Sequence, residues 1–114
     1  MDVEEQIIAS QKSWLMESDQ IRLAVTELGG HMAPVTFFRD SERPVEPYYV
    51  NPWHAEDIRP EPPVLVPLRG DFFCMPFGAD STVDGVAHTT HGETATGLWS
   101  LARAEATDRS SVLE

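Results

Sequence analysis

Basic residues are scarce in this sequence of 114 residues. Lys and Arg together number 8, against 19 Asp and Glu, so the formal net charge at pH 7 is -11. An acidic surface is repelled by the phosphate backbone of nucleic acids and by anionic membranes. Neither nucleic acid nor a membrane is therefore an expected partner, whereas a neutral polyol such as a sugar is indifferent to this charge.

Cysteine and long apolar runs are also lacking. The single cysteine, Cys74, has no partner in the chain for a disulfide, which indicates a buried, inert thiol in a reducing compartment. The N-terminus is acidic and its apolar run is only Ile7, Ile8 and Ala9, unlike the basic start and long apolar core of a secretion signal. No stretch approaches the roughly 20 apolar residues of a membrane-spanning helix. The sequence therefore predicts a cytoplasmic protein.

Short strand patterns separated by turns make up most of what is present. In "QIRLAVTE", the apolar residues Ile21, Leu23 and Val25 alternate with their neighbours, as in a half-buried strand. "SWLMES" before it is the expected hairpin partner, with the turn near Ser18 and Asp19. One short helix is expected over residues 2–11, where Asp2 would cap the N-terminus.

Further strands are predicted along the rest of the chain. "HMAPVTFF" has strand composition, and its Pro34 indicates an edge or a bulge. "VEPYYV", "VLVPLRGDFF" and "LWSLARAEA" are also predicted strands, whereas "AEDIRPEPP" and "GADSTVDGVAHTT" are predicted loops. Some six or seven short strands joined by turns are typical of an all-β antiparallel sandwich or barrel.

The chain has room for one domain, residues 1–114. Its end, "DRSSVLE", is a turn followed by Val112 and Leu113, which resembles the start of a strand. We therefore expect the chain to be the N-terminal fragment of a longer domain.

Arg69 and Asp71 stand inside the most apolar segment, "PLRGDFFCMPFG". In an extended strand these two positions share a face, so the guanidinium and the carboxylate would project side by side. An ion pair at a strand end is one interpretation. Because a buried pair costs desolvation that apolar residues avoid, a binding site is the other.

"THGE" is the second candidate. If the segment is extended, His91 and Glu93 share a face, and the carboxylate favours a protonated imidazole that suits a proton donor near neutral pH. His31, His54 and His88 each stand alone and are expected to be satisfied by backbone carbonyls. His88 and His91 lie on opposite faces of a strand, and the chain has no His-x-His pair, so neither a metal nor another cofactor is predicted.

Aromatic side chains surround these groups and are core residues by default. One of them is expected to present its face to a sugar ring, in a pocket of apolar walls with a few fixed polar groups. The predicted substrate-binding residues are Arg69, Asp71, Phe77, Glu93 and Trp99.

Two segments carry a family resemblance. "VPLRGDFFCMPFG" followed by "HGETATGLW" resembles the first half of the aldose 1-epimerase (galactose mutarotase-like) superfamily. The hexose-6-phosphate 1-epimerase branch is the most similar, because there an Arg-Gly segment runs into a Pro-x-Phe-Gly turn and is followed by His-Gly and a Trp. "LGGHMAPVTF" is similar to the family's early Gly-Gly strand. The resemblance covers about residues 20–105, and its specific part is 64–101.

The resemblance implies a large antiparallel β-sandwich, the supersandwich, and an isomerase that interconverts sugar anomers. A base removes the proton of the anomeric hydroxyl while an acid protonates the ring oxygen, and the opened ring recloses on either face. By resemblance, Arg69 would hold sugar hydroxyls through its forked donors, and His91 would be the first catalytic histidine, near the ring oxygen.

Two departures from the family shape the expectation. The hexose-phosphate branch reads His-Gly-Phe-Ala-Arg where this chain has residues 91–95, "HGETA", so a phosphate contact is missing and Glu93 would repel phosphate. The family's second histidine and catalytic glutamate lie in the later half of longer chains, so the 114 residues alone are expected to be inactive. A noncatalytic carbohydrate-binding or regulatory protein of the same fold is the first alternative, and a cupin-like metal protein is the second.

Overall fold

The protein is all-β, with antiparallel strands and only short turns of helix. The computed structural model describes residues 3–114. Its strands are β1 (Glu4–Ile8), β2 (Gln11–Glu17), β3 (Ile21–Thr26), β4 (Met32–Phe37), β5 (Ser81–Val83), β6 (Val86–His88), β7 (Ala104–Ala106) and β8 (Ser111–Leu113). Three 3-10 helices lie between them, at Pro52–Ala55, Pro63–Leu65 and Glu93–Ala95. In the described part of the chain, no helix is long and apolar enough to cross a membrane.

The predicted N-terminal helix is wrong. Residues Glu4–Ile8 form β1, which pairs antiparallel with β2, and the turn between them places Ala9 and Ser10 at φ 46 and 67. Pairing with the buried β2 outweighs the weak local helical preference of these residues. The expected cap, Asp2, lies outside the described residues.

The hairpin prediction is confirmed. β2 pairs with β3, with Trp14 opposite Val25, and Ser18 begins the connecting turn, where its N–H donates to the Ile21 carbonyl at 2.8 Å. β4 adds at the edge of a four-stranded sheet ordered β1-β2-β3-β4. Its Pro34 therefore lies on an edge strand as predicted, and the β3–β4 register shifts between Leu23 and Val25.

The core lies on this sheet. The buried apolar residues include Trp14, Leu15 and Val35, with Leu15 at 1 % exposure. Val64, from the 3-10 helix Pro63–Leu65, is also buried, so the proline-rich segment covers part of the core even though it contributes no strand.

Two predicted strands are wrong. "VEPYYV" and "VLVPLRGDFF" make only isolated bridges, such as Phe37 with Val45 and Val50 with Arg69. Four prolines between 60 and 67 remove backbone donors from this stretch, which prevents a continuous ladder.

The predicted loop at 78–90 instead contains a hairpin, β5–β6. Its turn residues, Asp84 and Gly85, have φ 49 and 77. Both values are positive, as a type I′ hairpin turn requires, and the Asp-Gly pair is the sequence signal for it.

The C-terminal strand start is confirmed. β8 begins at Ser111 and pairs with β7, which covers only the last part of "LWSLARAEA". The described strands form the four-stranded sheet and two separate two-stranded sheets, and the full sandwich stays a prediction.

Candidate functional site

His91 lies where the two sequence segments meet. Its N–H donates to the Gly78 carbonyl at 2.7 Å, and its own carbonyl accepts from the Met75 N–H at 3.3 Å. The residue has φ 63, in the left-handed region that a non-glycine residue adopts at a cost of about 1–2 kcal/mol. The loop after Phe73 therefore holds the His91 backbone through two hydrogen bonds, neither of which uses the His91 side chain.

Gly92 makes this close approach feasible. A β-carbon there would meet the Met75 carbonyl oxygen at 1.9 Å, and its φ is 81. Met75 and Gly92 form an isolated parallel bridge. Any larger residue would push the two segments apart and move His91 with them.

Two aromatic rings flank the His91 imidazole. Phe72 meets it edge-on, with centroids 5.6 Å apart, and Phe77 meets it at 6.0 Å and an angle of 53°. Phe77 is 85 % exposed, so its ring is an open apolar face beside a half-buried imidazole. We call the pair His91 and Phe77 the imidazole–phenyl face.

The Nδ1 atom of His91 is buried and has no hydrogen-bond partner in the structure of residues 3–114. An orphan polar atom of this kind costs about 1–3 kcal/mol. Buried polar groups are nearly always paired. Among the described residues Nε of Arg22, on β3, also lacks a hydrogen-bond partner, so it is the exposed Phe77 ring beside the imidazole that distinguishes His91.

Arg69 is brought into the core. It is 2 % exposed, and its guanidinium donates to the Pro67 carbonyl from Nε and to the Ile8 and Ala9 carbonyls from Nη1 and Nη2, each at 2.9 Å. Burial lowers the pKa of the guanidinium, which stays charged at any ordinary pH. These contacts fasten the segment around Arg69 to the β1–β2 turn, and a sugar contact by Arg69 stays a prediction.

Asp71 lies apart from this guanidinium. No ion pair links Arg69 and Asp71 among the salt bridges of residues 3–114, and Asp71 is exposed. Gly70, between them, has φ 51, so the backbone is not extended and the two side chains do not share a strand face. The ion-pair interpretation is therefore wrong.

Glu93 pairs with His88 and not with His91. The distance between His88 Nδ1 and Glu93 Oε1 is 3.0 Å. A hydrogen bond from its own backbone N–H, followed by the bond with His88, lowers the pKa of the exposed Glu93 carboxyl. The 3-10 helix Glu93–Ala95 interrupts the extended geometry on which the predicted His91–Glu93 face depended.

Trp99 lines a different cavity. Its Nε1–H donates to the Thr94 carbonyl at 2.8 Å. With Trp14, Phe73 and Leu101 it lines an apolar cavity of about 330 Å³ that His91 does not line. The cavity that Trp99 lines is therefore separate from His91, and a contact between Trp99 and a sugar stays a prediction.

His31 is the buried histidine next to the site. It has 0 % exposure, its ring lies 2.9 Å from the Ala95 carbonyl through Nε2, and burial lowers the pKa of the imidazole. The expectation that a backbone carbonyl satisfies this histidine is confirmed. Its closeness to His91 was missed, because no local pattern joins residues that are 60 positions apart in the chain.

No group of three or more His, Cys, Asp or Glu residues is placed to hold a metal ion within residues 3–114. No family model, curated protein or solved structure matches this chain. The chemistry of the imidazole–phenyl face therefore carries the functional proposal.

Proposed function

We propose that this protein binds a nonphosphorylated aldose at the imidazole–phenyl face, as an aldose 1-epimerase-like carbohydrate-binding protein. The observation that carries the proposal is the 85 % exposed ring of Phe77, 6.0 Å from an imidazole whose Nδ1 has no partner. A pyranose presents an apolar face of C–H groups and a rim of hydroxyls. An aromatic wall with one fixed polar group suits both.

The role of His91 follows from its unpaired nitrogen. Because Nδ1 is buried as well as unpaired, a ligand reaches it only when the imidazole turns about χ2. A sugar hydroxyl or ring oxygen that gives the imidazole a partner recovers part of the penalty of the orphan atom. An imidazole carries a proton donor at one ring nitrogen and an acceptor at the other, which are the groups that a proton transfer to the ring oxygen requires.

Charge favours an uncharged sugar over a sugar phosphate. The chain carries a formal net charge of -11, and the exposed carboxylate of Glu93 follows His91 by two positions. Residue 95 is Ala95, so the arginine with which the hexose-phosphate branch meets phosphate is absent at this position. The same charge argues against nucleic acid, and the lone Cys74 suits the reducing cytoplasm.

Two activities follow from one site. Anomer interconversion needs a base for the anomeric hydroxyl as well as an acid for the ring oxygen. The Glu93 carboxylate is bonded to His88. His91 could therefore serve as the acid, but none of the described carboxylates is paired with it to serve as the base. This favours the second candidate, noncatalytic carbohydrate binding, and separates the two activities experimentally.

The test is titration of the protein with glucose and galactose, followed by NMR of the imidazole and phenyl resonances and by polarimetry of the freshly dissolved α-anomers. We expect saturable shifts of the His91 and Phe77 rings. The Phe77 shift should be abolished in His91→Ala, and the affinity read at His91 should fall about tenfold in Phe77→Ala. Phe38→Ala is the matched control, because Phe38 is also exposed, at 58 %, but follows the far end of β4. Accelerated mutarotation supports the epimerase, and binding without acceleration supports the noncatalytic protein.

Equal weakening by Phe38→Ala and Phe77→Ala would contradict the proposed location. Absence of any shift with either sugar would contradict sugar binding itself.

A further inference from the structure

We infer that His31 is a positioning residue for the imidazole–phenyl face, in that its ring fixes the segment of Arg69 to the turn at Ala95 and orients Phe72 against His91. This inference rests on the proposed function for its consequence on sugar binding. Its structural part concerns three buried residues, His31, Arg69 and Ala95, and the half-buried ring of Phe72.

The hydrogen bonds of His31 select one chemical form of its ring. The Arg69 backbone N–H donates to Nδ1 at 3.4 Å, and an amide N–H can only donate. The Ala95 carbonyl lies 2.9 Å from Nε2 and can only accept. The neutral tautomer with its proton on Nε2 is therefore the single form that satisfies both partners.

The ring of Phe72 lies between the His31 ring and the His91 imidazole. His31 and Phe72 are stacked, with centroids 4.3 Å apart and an interplanar angle of 15°. Phe72 in turn meets the His91 imidazole edge-on at 5.6 Å. Because close-packed rings transmit displacement, a shift of the His31 ring moves the Phe72 ring and, with it, the His91 imidazole that packs against Phe72.

The turn before His31 brings the His31 ring against the Ala95 carbonyl. The His31 N–H donates to Thr26 Oγ1 at 2.9 Å, and the Gly29 N–H donates to the Gly97 carbonyl at 2.7 Å. A β-carbon on Gly29 would lie 2.3 Å from the Ala95 carbonyl oxygen and 2.6 Å from the His31 ring. The Gly-Gly turn thus makes room for the ring against Ala95.

A second proton on the His31 ring would break the hydrogen bond that Nδ1 accepts from the Arg69 N–H. Both ring nitrogens would then carry hydrogen, and Nδ1–H would face the Arg69 N–H. Burial opposes a positive charge on the His31 ring most strongly and so lowers its pKa, and the Arg69 guanidinium opposes that charge as well. Acidification therefore acts on the geometry of the face through His31.

Three variants test the inference. His31→Asn keeps an acceptor for the Arg69 N–H, His31→Gln keeps a donor for the Ala95 carbonyl, and His31→Leu keeps neither. We expect the ring resonances of His91 and Phe77, recorded without sugar, to move furthest in His31→Leu and less in His31→Asn and His31→Gln. With sugar, affinity should fall about tenfold in His31→Leu and less in the two amide variants.

The control is Leu15→Val, which loosens the core at β2 and removes neither hydrogen bond of the His31 ring. If Leu15→Val and His31→Leu, matched for melting temperature, move the two ring resonances equally, His31 has only a structural role and the inference is overturned. The ligand-free spectra keep the two proposals apart. Normal coupling of His31 to His91 with no sugar binding would overturn the proposed function alone.

Discussion

The segment fastened to the sheet by Arg69 and the segment 73–101 differ in how a buried polar group is bonded. Beside the sheet, the buried guanidinium of Arg69 is matched by three carbonyls, two of them from the end of β1 and the turn that follows it. In the segment 73–101, Phe77 is open to solvent and His91 Nδ1 lacks a partner. Nε of Arg22, on β3, is the other buried side-chain atom without a hydrogen-bond partner among the described residues. The contrast therefore lies between the bonded guanidinium of Arg69 and the unbonded imidazole of His91, which a loop carries beside an exposed phenyl ring.

The largest expected effect comes from breaking the matched side of this comparison. Arg69→Leu leaves the carbonyls of Pro67, Ile8 and Ala9 without their donors, and we expect the free energy of unfolding to fall by about 4 kcal/mol. Asp71→Ala, on an exposed residue, should change it by less than about 0.5 kcal/mol. Denaturant unfolding measures both, and similar losses in the two variants would contradict the anchoring role of Arg69.

Next in size is the glycine that joins the two regions. Gly92→Ala places a β-carbon 1.9 Å from the Met75 carbonyl oxygen, so we expect a loss of about 2–3 kcal/mol and the loss of sugar binding. Gly85→Ala is the matched control, since its φ of 77 is similar but nothing lies within 4 Å. It should cost about 1 kcal/mol and leave binding intact. Equal stability losses would show that backbone strain alone, rather than the close approach, governs Gly92.

Acid should weaken the sheet region through His31. Burial lowers the pKa of the folded-state imidazole below that of the unfolded chain, so the stabilisation is complete above about pH 6.5 and is lost as pH falls through the folded pKa. The slope contributed by one such proton is at most about 1.4 kcal/mol per pH unit. Urea unfolding of wild type and His31→Gln from pH 8 to pH 5 should show this slope only in wild type, and parallel curves would contradict the assignment.

The smallest effect concerns the exposed carboxylate. Because the Glu93–His88 pair is on the surface, Glu93→Gln should leave the melting temperature unchanged within error. It should raise affinity for glucose 6-phosphate relative to glucose by no more than about threefold at low salt. Isothermal titration measures the ratio, and a reversal of the preference for glucose would contradict the account of charge selectivity.

Short sequence patterns predicted those strands whose position depends on residues only a few places apart in the chain. The alternation of Ile21, Leu23 and Val25 specified β3, and Pro34 specified an edge strand, because side-chain period and a missing N–H act within a few residues. β1 was missed because pairing with β2 decides it, and the β5–β6 hairpin was missed although Asp84 and Gly85 carried its signal.

The candidate site divides in the same way. The sequence singled out Arg69, His91 and Phe77, and the structure brings His91 and Phe77 together. It did not predict that Arg69 would turn inward to the β1–β2 turn or that Glu93 would pair with His88. Both outcomes depend on tertiary contacts between segments far apart in the chain, or on the 3-10 turn at Glu93–Ala95, which spacing alone does not reveal.

Sugar binding at the imidazole–phenyl face can be measured by titrating the protein with glucose or galactose while the ring resonances of His91 and Phe77 are observed by NMR. We predict a saturable shift of both rings, with the Phe77 shift lost in His91→Ala and both shifts preserved in Phe38→Ala. Ring resonances of His91 and Phe77 that stay in place at saturating sugar, in a folded wild-type protein, would contradict it.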